Sequence, residues 1–122
     1  MAQWNGKTWS QIKVLTPGIT QSEFGSVLES LQCTSQRSCW AVGEYEDIDD
    51  ATVNEALQWN GSSWSLASTP NPSGISSSSD RSALVDVACA SANSCWAVGR
   101  YASSSDTLNE ALHWKGAAWS EG

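Results

Sequence analysis

Two glutamates stand at the same place in a repeated segment, and they are the first residues to consider for chemistry. Glu55 lies in the segment VNEALQW at 53–59, and Glu110 lies in LNEALHW at 108–114. In a strand, alternate residues share one face, so each carboxylate lies beside leucine and tryptophan. A carboxylate on such a face must be paired or hydrogen-bonded. Two roles stay open: an acceptor for buried N–H groups, which the pattern favours, or an acceptor for a ligand between repeats.

Four cysteines form two pairs with the same spacing. Cys33 and Cys39 flank one predicted turn, and Cys89 and Cys95 flank another. We expect a disulfide within each pair, and closing so short a loop contributes about 2 kcal/mol on the loop-entropy model. Zinc is the alternative, but five intervening residues are not a usual zinc spacing. The single histidine, His113, could not complete two zinc sites.

Other features give little support to metal binding or catalysis. The acidic run EYEDIDD at 44–50 suggests calcium, but it lacks the glycine and the spacing of a calcium loop. The second repeat has lost these acids, so a solvated loop is the favoured interpretation. The chain shows no serine elbow, no repeated acid–base pair and no glycine-rich phosphate loop. We therefore expect no enzyme, no metal and no cofactor.

Composition narrows the range of partners and compartments. The formal net charge is −7, which disfavours nucleic acid because phosphates require a basic surface. No segment approaches the roughly 20 apolar residues of a membrane helix. Met1 leads directly into the first repeat, and no signal peptide is visible. The repeated cysteines nevertheless indicate an oxidising compartment, so we expect a secreted or extracellular origin, with neither nucleic acid nor membrane as partner.

The elements that must position these residues recur with a fixed period. The hairpin motif Trp-x-Gly-x-x-Trp-Ser begins at Trp4, Trp59 and Trp114, a step of 55 residues. The motif Cys-x5-Cys-Trp-Ala-Val-Gly begins at Cys33 and returns at Cys89, a step of 56 residues. A fixed period of this size indicates a repeat architecture.

Each repeat is predicted to contain four antiparallel strands. Period-two alternation bounded by Gly, Ser and Asn is typical of strands, and Asn-Gly at two of the three hairpins supplies the positive φ of a tight turn. Proline-containing connectors at 16–18 and 69–74, the second extended by serines at 76–79, separate the repeats. The strands predicted for the first repeat cover 28–33, 39–45, 53–59 and 64–68, and they have counterparts in the second repeat. A further copy of the fourth strand is predicted at 9–15.

The motifs resemble those of a known family. The segments CWAVGEY at 39–45, WNGSSWS at 59–65 and PNP at 70–72 resemble the units of highly repetitive bacterial β-propeller proteins. This resemblance covers essentially the whole chain and implies the propeller fold without a particular activity. The chain is also similar in plan to fucose-binding propeller lectins, whose two-bladed subunits assemble into a six-bladed ring. Those lectins share the Trp-x-Gly-x-x-Trp hairpin but have no counterpart of the cysteine pair.

These features predict an all-β fold with two four-stranded β-propeller blades per chain. We expect an N-terminal hairpin or outer strand at 1–18, blade 1 at 19–70 and blade 2 at 71–122. Propellers close with roughly four to eight blades, so two blades leave apolar faces bare and predict completion by homo-oligomerisation into a ring. A trimer is favoured by the lectin analogy, and a tetramer or a dimer is the alternative. We expect the N-terminal strand to complete a blade, which could be the last blade of a neighbouring chain. Both ends of the chain carry a copy of the hairpin, so one copy is expected to be redundant, frayed or used in a different pairing.

The sequence predicts a binding module. Exposed aromatic side chains stack on sugar rings or bind partner proteins, and repeated shallow sites gain avidity. We expect a multivalent lectin-like propeller that binds glycans; the alternative is a structural or protein–protein interaction scaffold without a small ligand. The candidate ligand-binding residues are Trp40, Trp96, Tyr45, Tyr101, Arg100, Glu55 and Glu110.

Overall fold

The chain is built from strands. A computed structural model describes residues 1–11, 26–46, 51–70, 80–103 and 106–122. These residues form ten β-strands and no helix, which confirms the all-β prediction. The strands are β1 (Ala2–Trp4), β2 (Trp9–Gln11), β3 (Ser26–Ser35), β4 (Ser38–Glu46), β5 (Thr52–Trp59), β6 (Trp64–Ala67), β7 (Arg81–Ser91), β8 (Ser94–Ser103), β9 (Asp106–Trp114) and β10 (Trp119–Glu121). Four predicted features lie outside the described residues, namely the strand extension at 12–15, the connector at 16–18, the acids at 47–50 and most of the second connector, at 71–79.

The two copies of the sequence repeat fold into equivalent four-stranded antiparallel units. Repeat 1 comprises β3 to β6 and repeat 2 comprises β7 to β10, each paired in sequence order. A single parallel bridge between Thr52 and Arg81 joins the two units. The ladder register shifts between residues 28 and 30 in repeat 1 and between residues 84 and 86 in repeat 2. The period of the sequence is therefore also a period of the structure.

The Trp-x-Gly-x-x-Trp motif closes the last hairpin of each repeat and also the N-terminal hairpin. Its two tryptophans pair across the strands, as Trp59 and Trp64 do with ring centroids 5.6 Å apart. Gly61 has φ of 100°, and the other two copies have 96° and 97°, a region that glycine adopts at little cost. The side-chain oxygen of Asn60 accepts two backbone N–H groups of the turn at 2.9 and 3.0 Å. The β1–β2 hairpin forms a separate two-stranded sheet with exposed side chains.

Both predicted disulfides are present. Cys33 is bonded to Cys39, and Cys89 is bonded to Cys95, each pair directly opposite in its ladder with Cα atoms 4.0 Å apart. The local reason is the tight turn between the first two strands of each repeat, which returns the chain along itself. Two such bonds are consistent with an oxidising, extracellular environment.

The main core lies between the repeats. Trp40 of repeat 1 is buried, and its ring meets those of Trp114 and Trp119 of repeat 2 edge-on, with centroids 4.8 and 5.0 Å apart. Val42 and Leu112 belong to the same cluster. Edge-to-face aromatic pairs stabilise a fold by more than the burial of their apolar area alone. This packing therefore fixes how the strand ends of the two repeats meet.

Candidate functional site

Polar residues from both repeats line a cleft of about 240 Å³, which we call the inter-repeat cleft. Glu44 contributes from β4, Arg81 from β7, and Arg100 and Tyr101 from β8. Arg81 lies 3.9 Å from the Glu44 carboxylate but is largely exposed, so this ion pair is weak. Two of the three arginines of the chain thus share the cleft with one carboxylate. Such a donor set can bind a carboxylate or several hydroxyl groups.

A second cleft of about 330 Å³, the edge cleft, adjoins the first at Tyr101. It is lined also by Asn109, Glu110 and Glu121. The amide can donate or accept hydrogen bonds, and the carboxylates can accept them from hydroxyl groups. The fold therefore brings three of the sequence-predicted site residues together, because Arg100 and Tyr101 are adjacent in β8 and Glu110 lies on the neighbouring strand β9.

Glu110 belongs to a hydrogen-bond network that joins the two repeats. Its Oε2 accepts from Asn54 Nδ2 at 3.2 Å, and its Oε1 lies 2.8 Å from the Ser82 hydroxyl. That hydroxyl also lies 2.7 Å from Asn54 Oδ1, but it has one proton for two acceptors. Burial raises the pKa of Glu110, the Ser82 and Asn54 hydrogen bonds oppose this, and the Glu121 charge adds to it.

Glu55 has the equivalent place in repeat 1 and a different environment. It is fully buried, and neither carboxylate oxygen has a hydrogen-bond partner among the described residues. Burial raises its pKa from 4.5 to about 7. The Ser26 hydroxyl favours the charged form without reaching hydrogen-bonding geometry, and the Glu44 charge disfavours it. Two closely similar strand sequences thus produce two chemically different carboxylates.

The remaining candidate residues lie apart from the clefts. Trp40 is buried in the core between the repeats, and Tyr45 is half-buried in β4. Trp96 is exposed on one side, and its other side stacks on His113, with centroids 4.2 Å apart and planes 6° from parallel. Trp40 and Glu55 consequently offer no surface to a ligand, whereas Trp96 offers an open aromatic face.

Sequence reasoning misses three residues of this region: Arg81, Glu44 and Ser82. Ser82 carries a usable signal, since it recurs as Ser26 at the 56-residue step. Glu44 is visible only as part of the acidic run. Arg81 has no such signal, because glycine occupies the corresponding place in the first repeat.

Some functional classes receive no support from the part of the chain that the structure describes. It contains no group of three or more His, Cys, Asp and Glu side chains placed to hold a metal ion. Within the same residues there is no helix long and apolar enough to cross a membrane. Comparison with family models, curated proteins and solved structures gives no match. Function is therefore inferred from the clefts and from the exposed sheet faces.

Proposed function

We propose that the chain is a non-enzymatic binding module, a lectin-like β-propeller protein whose ligand is a carbohydrate. The observation that carries this proposal is the inter-repeat cleft, in which Arg81, Arg100 and Tyr101 surround a space next to Glu44. A space of about 240 Å³ is small for a drug-sized ligand and suits a single sugar ring. Repeats 1 and 2 serve as propeller blades, and a ring of several chains presents several such clefts, which increases avidity.

The charges of the cleft favour an acidic sugar. Two guanidinium groups face one carboxylate there, although the whole chain has a net charge of −7. A uronate carboxylate would accept charge-assisted hydrogen bonds from arginine, which are stronger than those between neutral groups. Tyr101 would bind the ring through its hydroxyl or its aromatic face.

Calorimetric titration with glucuronate, and with glucose for comparison, tests this function. We expect glucuronate to bind more tightly than glucose. Arg100→Ala should weaken glucuronate binding at least tenfold, since it removes a charged donor. Lys115→Ala is the matched control because it removes one positive charge at an exposed hairpin tip and should leave binding unchanged. The absence of binding to either sugar at millimolar concentration, together with a blank glycan array, would reject the carbohydrate ligand.

A scaffold without a small ligand is the second candidate, and a specific observation favours it. Trp96, Val98 and Leu31 are large apolar side chains that are exposed, and exposed apolar surface of this kind marks protein interaction sites. Association of protein chains with no sugar binding would favour the scaffold. A number of bound sugars equal to the number of inter-repeat clefts would favour the lectin.

A further inference from the structure

A third cleft, between the β1–β2 hairpin and repeat 1, is lined mainly by aromatic and aliphatic groups. Its apolar walls are formed by Trp4 of the hairpin and by Leu31, Trp59 and Trp64 of repeat 1, and we call it the tryptophan cleft. Its volume of about 390 Å³ falls in the range of small-molecule pockets. Within the part of the chain that the structure describes, no charged side chain lines it. The tryptophan cleft therefore differs in chemistry from the inter-repeat cleft.

Repeat 2 shows what fits the equivalent space. Three lining residues have counterparts there at the sequence period and in the ladder register, namely Leu31 and Val87, Trp59 and Trp114, and Trp64 and Trp119. The three counterparts form one cluster with the indole ring of Trp40. That ring meets the two tryptophans edge-on, with centroids 4.8 and 5.0 Å apart. An indole ring is therefore the group that this arrangement of side chains accepts inside the chain.

In repeat 1 the same arrangement is open to solvent. Leu31 is 51% exposed, whereas its counterpart Val87 is 5% exposed. Trp64 is half-buried, and its one ring contact among the described residues is with Trp59. Trp59 is itself buried, so it forms the floor of the cleft. A ligand can consequently enter past Leu31 and Trp64.

The N-terminal hairpin supplies the other wall of the cleft. Trp4 is 50% exposed, although it belongs to the same motif as Trp114, which is 9% exposed. The hairpin forms its own two-stranded sheet, so a ligand in the cleft lies between two separate sheets. An aromatic side chain of another protein would have to displace the hairpin to bring its own backbone close. A free ring does not meet this obstacle, and the enclosure favours a small molecule.

We propose that the tryptophan cleft binds a small, uncharged aromatic molecule of the indole class. The ring lies among Leu31, Trp59 and Trp64 as the Trp40 ring lies among their counterparts, and Trp4 covers its outer side. Burial of apolar area and edge-to-face aromatic contacts supply the affinity. The site is independent of the proposed carbohydrate function, because no residue is common to the tryptophan cleft and the inter-repeat cleft.

The polar groups of the cleft determine which substituents the ring can carry. The side-chain amides of Gln3 and Gln36 belong to the lining and can accept the N–H of an indole. A charged substituent would lose water without gaining a partner of opposite charge, which costs affinity. Indole is therefore the probe of choice, and indole-3-acetate is its charged comparison.

Calorimetric titration of the disulfide-intact protein with indole tests the proposal. We expect saturable binding of one indole per chain, and binding of indole-3-acetate that is weaker by about tenfold or more. Trp4→Ala and Leu31→Ala should each weaken indole binding about fivefold, because each removes one wall of the cleft. Both side chains are half exposed, and Leu31→Ala leaves the hairpin unaltered. The matched controls Trp96→Ala and Leu108→Ala change comparably exposed residues outside the cleft and should bind indole like the wild type.

Three results would overturn the site: no saturable binding at millimolar indole, equal losses in the cleft variants and their controls, or unchanged binding in both cleft variants. Sedimentation velocity with and without indole tests the other occupant, an aromatic side chain of another protein chain. Dissociation of an assembly by indole would assign the cleft to such a side chain and reject a small-molecule ligand, whereas unchanged sedimentation supports the proposal. Glucuronate should not compete with indole, and competition would reject the tryptophan cleft as a separate site. A chain that binds indole but no sugar would refute only the carbohydrate function.

Discussion

Replacing Glu55 by Gln should remove a pH dependence from the stability of the protein. The carboxylate is fully buried and has no hydrogen-bond partner among the described residues. Its pKa is about 7 in the folded chain against 4.5 ordinarily. Between these two pH values the folded state holds a proton that the unfolded state has lost. Stability therefore falls as pH rises from about 4.5 to about 7 and is level on either side of that window.

The size of this effect follows from the two pKa values. Each pH unit between them corresponds to about 1.4 kcal/mol, so the full difference corresponds to about 3 kcal/mol. Solvent screening reduces such values, and we expect about 2 kcal/mol. Glu55→Gln keeps the shape of the side chain and cannot ionise, so the variant should be more stable than the wild type at pH 8. Near pH 4.5 that advantage should disappear.

Urea unfolding of the disulfide-intact protein at pH 4.5, 6 and 8 measures the effect. Low protein concentration keeps association from contributing to the apparent stability. Glu29→Gln, at an exposed position of β3, is the matched control and should follow the wild type at every pH. Glu110 remains in all the variants, and its raised pKa gives each of them the same residual slope. Parallel curves for the wild type and Glu55→Gln would refute the assignment of an unpartnered buried carboxylate.

Three further predictions concern the core, the close strand contact and the disulfides. Trp40→Ala should destabilise the chain by about 3–5 kcal/mol in urea unfolding, because it empties the centre of the core between the repeats, whereas Trp96→Ala should cost clearly less in the unassembled chain. Gly99→Ala should destabilise by at least about 2 kcal/mol, since a Cβ there would meet the backbone carbonyl of Ala83; an unchanged melting temperature would contradict this. The denatured, non-reduced protein should take up no alkylating reagent, and reduction should expose all four thiols.

Local patterns suffice to predict much of the fold. Period-two alternation, the glycine of each hairpin turn and the equal cysteine spacing act over a few residues, and they predict the strands, the positive φ of Gly61 and both disulfides. Contacts between sheets are harder to predict, because they depend on which faces meet. Arg81 and Glu44 approach each other only through the packing of the two repeats, and nothing in their local sequence indicates it.

The two glutamates show why even a repeated motif does not fix its own chemistry. Glu55 and Glu110 have the same neighbours in sequence and the same place in their ladders. Glu110 receives a hydrogen bond from Asn54, because repeat 1 packs against repeat 2, and Glu55 has no equivalent donor among the described residues. The environment of each glutamate therefore depends on which part of the chain packs against its repeat as well as on its own motif.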